Sequence, residues 1–162
     1  MTRSLLPAAL LATLLSLPAA ARADFGATFS LGGGVLNLNQ ANGNVPARDF
    51  RSAGELTPFY QAWIFRFEVG AELQISPGQV WAIRPGVKLF LPWAIYLRAG
   101  YGLGNLGGAG ALTHSLVLGL GKEFSIVDAF GILLEATGEA QFAPWAGWPL
   151  NLMGRVGVFL KI

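Results

Sequence analysis

Apolar and polar side chains alternate along much of this chain. From residue 59 to residue 75 bulky apolar residues take the odd positions, and Arg66, Glu68 and Glu72 take even positions between Gly and Ala. Successive side chains of a strand point to opposite faces, so a period of two predicts a β-strand. The apolar face carries Trp63, Phe65 and Phe67, which are too bulky for the inside of a small barrel. The pattern predicts a strand with one face towards lipid and the other lining a narrow lumen.

The same alternation recurs in six further segments, residues 25–35, 80–91, 94–103, 113–126, 130–142 and 150–162. Each is long enough to cross a bilayer, which takes about 9–11 residues of tilted strand. Single-chain bacterial barrels have even strand numbers, so we expect an eighth strand between Asn39 and Pro58, and residues 48–57 are the best candidate. The predicted fold class is all-β, an antiparallel up-and-down transmembrane β-barrel of eight strands.

The connections between these segments alternate in length. Residues 76–78, 91–93 and 127–128 are predicted tight turns, whereas residues 39–47, 104–111 and 143–149 are longer and rich in Gly, Pro, Asn and Ala. With the N-terminus in the periplasm, the turns at 91–93 and 127–128 are periplasmic and the long segments face outside, as is usual for outer-membrane barrels. Aromatic residues then form two girdles at headgroup level, Trp63, Trp93, Phe124 and Phe130 at the periplasmic rim and Trp81, Tyr101, Phe142, Trp145 and Trp148 at the outer rim.

The composition agrees with a membrane barrel, and the N-terminal residues are predicted to be a targeting segment that is not part of the fold. Of 162 residues, 53% are hydrophobic and only 12% are charged, and the absence of Cys excludes disulfides and thiolate metal sites. Arg3, an apolar run over residues 5–17 and the sequence Ala21-Arg22-Ala23 predict a signal peptide over residues 1–23. The barrel domain is then 24–162, exported to the outer membrane of a Gram-negative bacterium.

Cleavage after residue 23 removes the apparent basicity of the chain. The net charge of +2 comes from 11 basic and 9 acidic residues, and Arg3 and Arg22 leave with the signal peptide. The mature chain has 9 − 9 = 0, so charge gives no argument for nucleic-acid binding.

Ten ionised residues fall on the polar faces of the predicted strands. These predicted lumen residues are Arg66, Glu68, Glu72, Arg84, Lys88, Arg98, Glu123, Glu135, Glu139 and Arg155. Five bases balance five acids, and charges inside a tight barrel must pair because a lone buried charge costs several kcal/mol. A structural salt-bridge core is the main interpretation. A polar conduit is the alternative, although an eight-stranded barrel is just wide enough for its own side chains.

The chain resembles the small eight-stranded outer-membrane β-barrels of the OmpA/OmpX/OmpW-like kind. The resemblance covers residues 24–162 as an architecture. The last segment, residues 152–162, is similar to the C-terminal targeting strand of such proteins, with alternate apolar residues up to the end. That family usually finishes in Phe or Trp, whereas this chain finishes in Ile162 with Phe159 on the opposite face.

Candidate chemistry is sparse. Residues 102–107 match the dinucleotide pattern G-x-G-x-x-G, but a Gly-rich loop leads into a strand where that site needs a helix. One histidine and no cysteine predict no metal site. His114 and Ser115, with Glu139 near the same rim, resemble the His, Ser and Glu set of the lipid A deacylases, but here His and Ser are adjacent and point to opposite faces. We therefore expect no enzyme activity, no catalytic residue and no cofactor.

The predicted function is an integral outer-membrane barrel with a structural or loop-mediated binding role. A narrow channel for small or apolar solutes is the first alternative, and a lipid-modifying enzyme is the second. The expected partners are outer-membrane lipid and, during insertion, the barrel-assembly machinery, and no nucleic acid is expected. The sequence predicts neither a specific ligand nor an oligomeric state.

Overall fold

The structure, a computed structural model, describes residues 24–35, 50–76, 78–105, 112–143 and 149–162. Its eight strands are β1 Asp24–Val35, β2 Phe50–Ala62, β3 Phe65–Ser76, β4 Val80–Phe90, β5 Ile95–Gly104, β6 Thr113–Val127, β7 Phe130–Ala143 and β8 Leu150–Lys161. A short 3₁₀ turn, Pro92–Ala94, joins β4 to β5. No helix within the described ranges is long and apolar enough to cross a membrane. The predicted signal peptide and most of the predicted long connections lie outside the described residues.

The strands form one closed antiparallel barrel. Each strand pairs with the next along the chain, and β1 pairs with β8 from Gly26 opposite Lys161 to Val35 opposite Leu152. Closure leaves no free sheet edge among the described strands, because each strand pairs with a neighbour on both sides. The predicted fold class, an up-and-down β-barrel of eight strands, is confirmed.

The prediction of one strand over residues 59–75 is wrong. The chain reverses at Trp63-Ile64, so residues 59–62 finish β2 and β3 begins at Phe65. The reversal shifts the alternation by one position, and Phe59 and Gln61 therefore point inward with Arg66. Trp63 has φ 56°, a left-handed conformation that is uncommon for a residue other than Gly.

The missing eighth strand is β2. It runs from Phe50 to Ala62. The predicted segment 48–57 therefore begins two residues too early and ends five residues too soon. Pro58 lies within it and faces outward beside Ala27 of β1. A proline has no N–H to donate to the strand ladder, and the pairing of β2 with β3 passes over Thr57 and Pro58.

The two faces of the barrel differ in chemistry. Side chains on the outer face are mainly apolar, with Lys122 and His114 of β6 as exceptions, whereas most Arg, Glu, Lys, Gln and Thr side chains point inward and are buried. Trp63, Trp93 and Phe130 lie at one end, here called the turn end, where residues 63–64, 91–94 and 128–129 join strands. Trp81 and Tyr101 lie towards the opposite, far end, as predicted. Trp145 and Trp148 are outside the described residues.

Candidate functional site inside the barrel

Twelve ionised side chains project into the barrel and pair with one another. This ion-pair network consists of Arg51, Arg66, Arg84, Lys88, Arg98 and Arg155 with Glu55, Glu68, Glu72, Glu123, Glu135 and Glu139. Each lies at an inward position of a strand whose other face is apolar. All twelve are buried, so the pairs are held in a medium that screens them much less than water does.

Glu72 is the acceptor that connects most of the arginines. Its carboxylate receives hydrogen bonds from Arg51, Arg84 and Arg155, which come from β2, β4 and β8. Glu139 of β7 pairs with two of these arginines, at 2.7 Å from Arg51 and 2.9 Å from Arg84. One carboxylate of β3 thus ties three other strands across the lumen.

A second layer lies nearer the turn end and centres on Arg98. Its guanidinium is 2.5 Å from Glu55, 2.6 Å from Glu68 and 3.0 Å from Glu135. Lys88 lies 3.3 Å from Glu68 and 3.6 Å from Glu135. Arg155 bridges the two layers because it pairs with Glu55, at 2.5 Å, as well as with Glu72.

Aromatic rings pack against inward basic side chains near the turn end. The Tyr96 hydroxyl donates a hydrogen bond of 2.9 Å to Glu135, and Lys88 Nζ lies 4.5 Å from the centre of the Tyr96 ring. Arg66, which pairs with Glu123, is sandwiched by Phe59 at 4.0 Å and Phe90 at 4.6 Å. These cation–π contacts stabilise an arginine that is completely buried.

Glycine on the inner face makes room for the aromatic rings. Tyr96 lies directly opposite Gly121, Phe159 opposite Gly131 and Phe59 opposite Gly26 in the strand pairing. A Cβ atom built on any of these three glycines would collide with the facing ring. Each pair is an aromatic side chain lying over a glycine of the neighbouring strand, a device that fills the narrow lumen and permits tight curvature.

The structure places all ten predicted lumen residues inside the barrel: eight of them are joined by shared ion pairs, and Arg66 and Glu123 form a separate pair. Gly70 lies opposite Arg84, as a three-residue turn predicts, and Arg84 pairs with Glu72. Glu68, on the same face of β3 as Glu72, pairs with Lys88 and Arg98 and not with Arg84. Sequence reasoning missed Arg51 and Glu55, which raise the balance from five and five to six and six.

The structure separates His114 from the residues proposed to act with it. Ser115 Oγ donates a hydrogen bond of 2.8 Å to Glu139 inside the barrel. His114 lies on the outer face, where its Nδ1 shares a hydrogen bond with the Tyr101 hydroxyl and its ring stacks on Phe142. No group of three His, Cys, Asp or Glu side chains in the described ranges is arranged to hold a metal ion. The ion-pair network contains six basic and six acidic side chains, all buried, and is therefore electroneutral.

Known structures share this architecture. The crystal structure of neisserial surface protein A (NspA) matches with a TM-score of 0.65 at 11% sequence identity, over 85% of this chain and 97% of that one. The fold is that of a small eight-stranded outer-membrane barrel. Two designed proteins also match. TMB2.3 has a TM-score of 0.46 at 10% sequence identity, over 90% of this chain and 98% of its own. A designed transmembrane β-barrel has a TM-score of 0.40 at 13% sequence identity, over 83% of this chain and 95% of its own. No protein-family model and no curated protein matches the sequence.

Proposed function

We propose that this chain is an integral outer-membrane β-barrel protein with a structural or loop-mediated binding role. The observation that carries the proposal is sidedness, because the strands turn their apolar side chains outward and their ionised side chains, Lys122 excepted, inward. An apolar surface of this size around a whole domain is stable only against hydrocarbon or a partner. Aromatic residues at both ends of the strands suit the two headgroup regions.

The filled lumen favours a structural role over transport. Two layers of ion pairs and the aromatic residues Phe59, Tyr96 and Phe159 occupy the cross-section of an eight-stranded barrel, which has little room beyond its own side chains. A solute would have to separate buried pairs such as Arg98 and Glu135, at a cost of several kcal/mol for each. Binding is therefore assigned to the connections at the far end, and the expected partners are outer-membrane lipid and the assembly machinery.

The enzyme alternative has little support from the geometry. A serine nucleophile needs a base within hydrogen-bond reach, and His114 lies on the opposite face of β6 from Ser115. The contact between Ser115 and Glu139 belongs to the ion-pair network, where Glu139 is already engaged by Arg51 and Arg84. We propose that the protein is not an enzyme.

Fractionation tests the proposed location. The protein is expected to remain with outer-membrane fractions after washing with salt and carbonate, and to migrate differently on gels before and after heating because a closed barrel resists detergent. A variant that lacks one carboxylate and one guanidinium group of the ion-pair network, Glu72→Gln combined with Arg98→Gln, serves as the control and is expected to lose the heat-dependent shift. Recovery of the wild-type protein in the soluble periplasmic fraction would contradict the proposal.

Planar-bilayer recording tests the closed lumen. Folded wild-type protein is expected to produce no discrete conductance steps, because ion pairs cross the lumen at two levels. Arg98→Ala opens space within the second layer, and Arg98 forms no ion pair with Glu72 or Glu139 of the first layer, so small and variable currents are expected only in this variant. Regular conductance steps from wild-type protein would restore the channel alternative.

A further inference from the structure

One charged side chain departs from the sidedness of the barrel. Among the described strand residues, Lys122 of β6 is the only Lys, Arg, Asp or Glu on the outer face, and it is exposed. Its Nζ lies 5.1 Å from the centre of the Phe124 ring, and no carboxylate of the described chain pairs with it. A lysine at a lipid-facing position needs a counter-ion or a path to water, since an unpaired charge in hydrocarbon is costly.

Lys122 lies beside the turn that joins β4 to β5, at the turn end of the barrel. It pairs with Ile95, the first residue of β5, directly after the turn that carries Trp93. Trp93 is 84% exposed, and tryptophan prefers the boundary between hydrocarbon and headgroups. The amine is thus placed to reach the phosphate groups of the adjoining leaflet.

An apolar groove begins beside this lysine. Lys122, Leu134, Val156 and Leu31 follow one another in direct pairs across β6, β7, β8 and β1 and form one wall. The floor, one step towards the far end, consists of the small residues Ala136, Gly154 and Gly33, again in direct pairs. The groove has a volume of about 910 Å³, within the range of ligand sites, and leads up the barrel to Phe50 of β2.

We propose that Lys122 and this groove bind an anionic glycerophospholipid of the leaflet at the turn end. The lysine amine contacts the headgroup phosphate and one acyl chain lies in the groove. Charge complementarity selects this occupant, because the wall starts at an unpaired cation and is otherwise apolar. A second copy of the chain would place the same cation, Lys122, at its interface. The inference rests on the proposed membrane location and adds a lipid class to it.

Gly154 offers a way to fill the groove without disturbing the barrel. A Cβ atom at this position would meet nothing closer than the Gly33 carbonyl oxygen at 4.0 Å, so no contact within the protein requires glycine here. Gly154→Leu therefore occupies the floor while the strand remains intact. Ala71→Leu on the outer face of β3 is the matched control, and Lys161→Gln at the turn end is the control for Lys122→Gln.

The test uses the whole folded protein in vesicles of phosphatidylcholine and phosphatidylglycerol, with a spin-labelled form of each lipid. Electron paramagnetic resonance gives the immobilised fraction and hence the relative association constant of the two lipids. Wild-type protein is expected to prefer phosphatidylglycerol, and Lys122→Gln to reduce that preference about five-fold, the effect of one basic residue at a membrane surface. Gly154→Leu is expected to reduce it as well, while both controls keep it.

Three results would overturn the assignment. Equal losses in Lys122→Gln and Lys161→Gln would show diffuse attraction to the surface. An unchanged preference in Gly154→Leu, with a change in oligomeric state, would assign the groove to a second copy of the chain. A wild-type barrel that inserts and shows its heat-dependent gel shift but has no lipid preference contradicts this site alone, whereas a chain that never inserts contradicts the membrane location as well.

Discussion

Replacing Glu72 by Gln is expected to lower the free energy of unfolding by about 3–5 kcal/mol, the cost of removing one partner from a buried ion pair. Glu72 accepts hydrogen bonds from Arg51, Arg84 and Arg155, so the substitution leaves three buried guanidinium groups around a neutral amide. Glu139 already pairs with Arg51 and Arg84, and Glu55 with Arg98 and Arg155, so these two carboxylates compensate only in part for the lost charge. Urea titration of the folded band on unheated gels, in vesicles or detergent, measures the change.

Gln74→Leu is the matched control for this experiment. Gln74 lies two residues further along β3 on the same inward face, is equally buried and makes only a long hydrogen bond of 3.4 Å to the Gly78 carbonyl. We expect it to change stability by no more than about 1 kcal/mol, the net value of an ordinary hydrogen bond. Equal effects of the two substitutions would show that Glu72 contributes only by filling space.

The fold could be predicted from sequence because lipid imposes a strict rule on each strand. A lipid-facing side chain is usually apolar and a lumen-facing one is usually small, polar or paired, so period-two alternation is visible in β1 and in β3 to β8 without any alignment. In β4 the outward Trp81 and Ile83 and the inward Arg84 and Lys88 all take the predicted faces. The same rule identified all ten predicted lumen residues by strand position.

The β2–β3 hairpin could not be predicted because its turn carries no turn residue. Hairpins are usually marked by Gly, Asn or Asp, whereas this one reverses at Trp63-Ile64 with Trp63 at positive φ. Because Trp63 and Ile64 are apolar, the alternation of β3 extends backwards through the turn into β2. The end of β2 could therefore not be recognised from the pattern. Arg51 and Glu55 were lost with that strand, although their spacing of four, with Ala53 and Thr57, follows the inward face.

The pairing within the lumen depends on three dimensions and not on the pattern. Arg51 reaches Glu139 across 88 positions of sequence, and Arg155 reaches Glu72 across 83. Such pairs follow from which strands face one another across the barrel, which closure and strand stagger determine together. The pattern along one strand predicts which face a charged side chain lies on, but it does not predict which charged residue is its partner. For the same reason, the exceptional outward position of Lys122 was recognised only when the faces of the neighbouring residues were known.

Replacing Gly121 by Ala is expected to destabilise the barrel by about 1–3 kcal/mol, the usual cost of overpacking. A Cβ atom at this position would collide with the Tyr96 ring and lie 2.8 Å from the Leu134 carbonyl oxygen, which belongs to the backbone and cannot withdraw. The ring is also held, because its hydroxyl donates to Glu135. The same urea titration measures the loss, and in a Tyr96→Ala background the cost of Gly121→Ala should shrink.

Gly138→Ala, on the next strand, β7, is expected to have a different effect on stability from Gly121→Ala. Its Cβ atom would lie on the outer face, 3.6 Å from Leu152, which is an ordinary contact. Alanine restricts the unfolded chain more than glycine does, so this substitution should be neutral or stabilise by about 0.4–1 kcal/mol. If both alanines destabilised the barrel equally, strand glycines would matter through backbone freedom alone. A loss at Gly121 and none at Gly138 instead identifies the close approach of ring to backbone as the reason that glycine occupies the inner face.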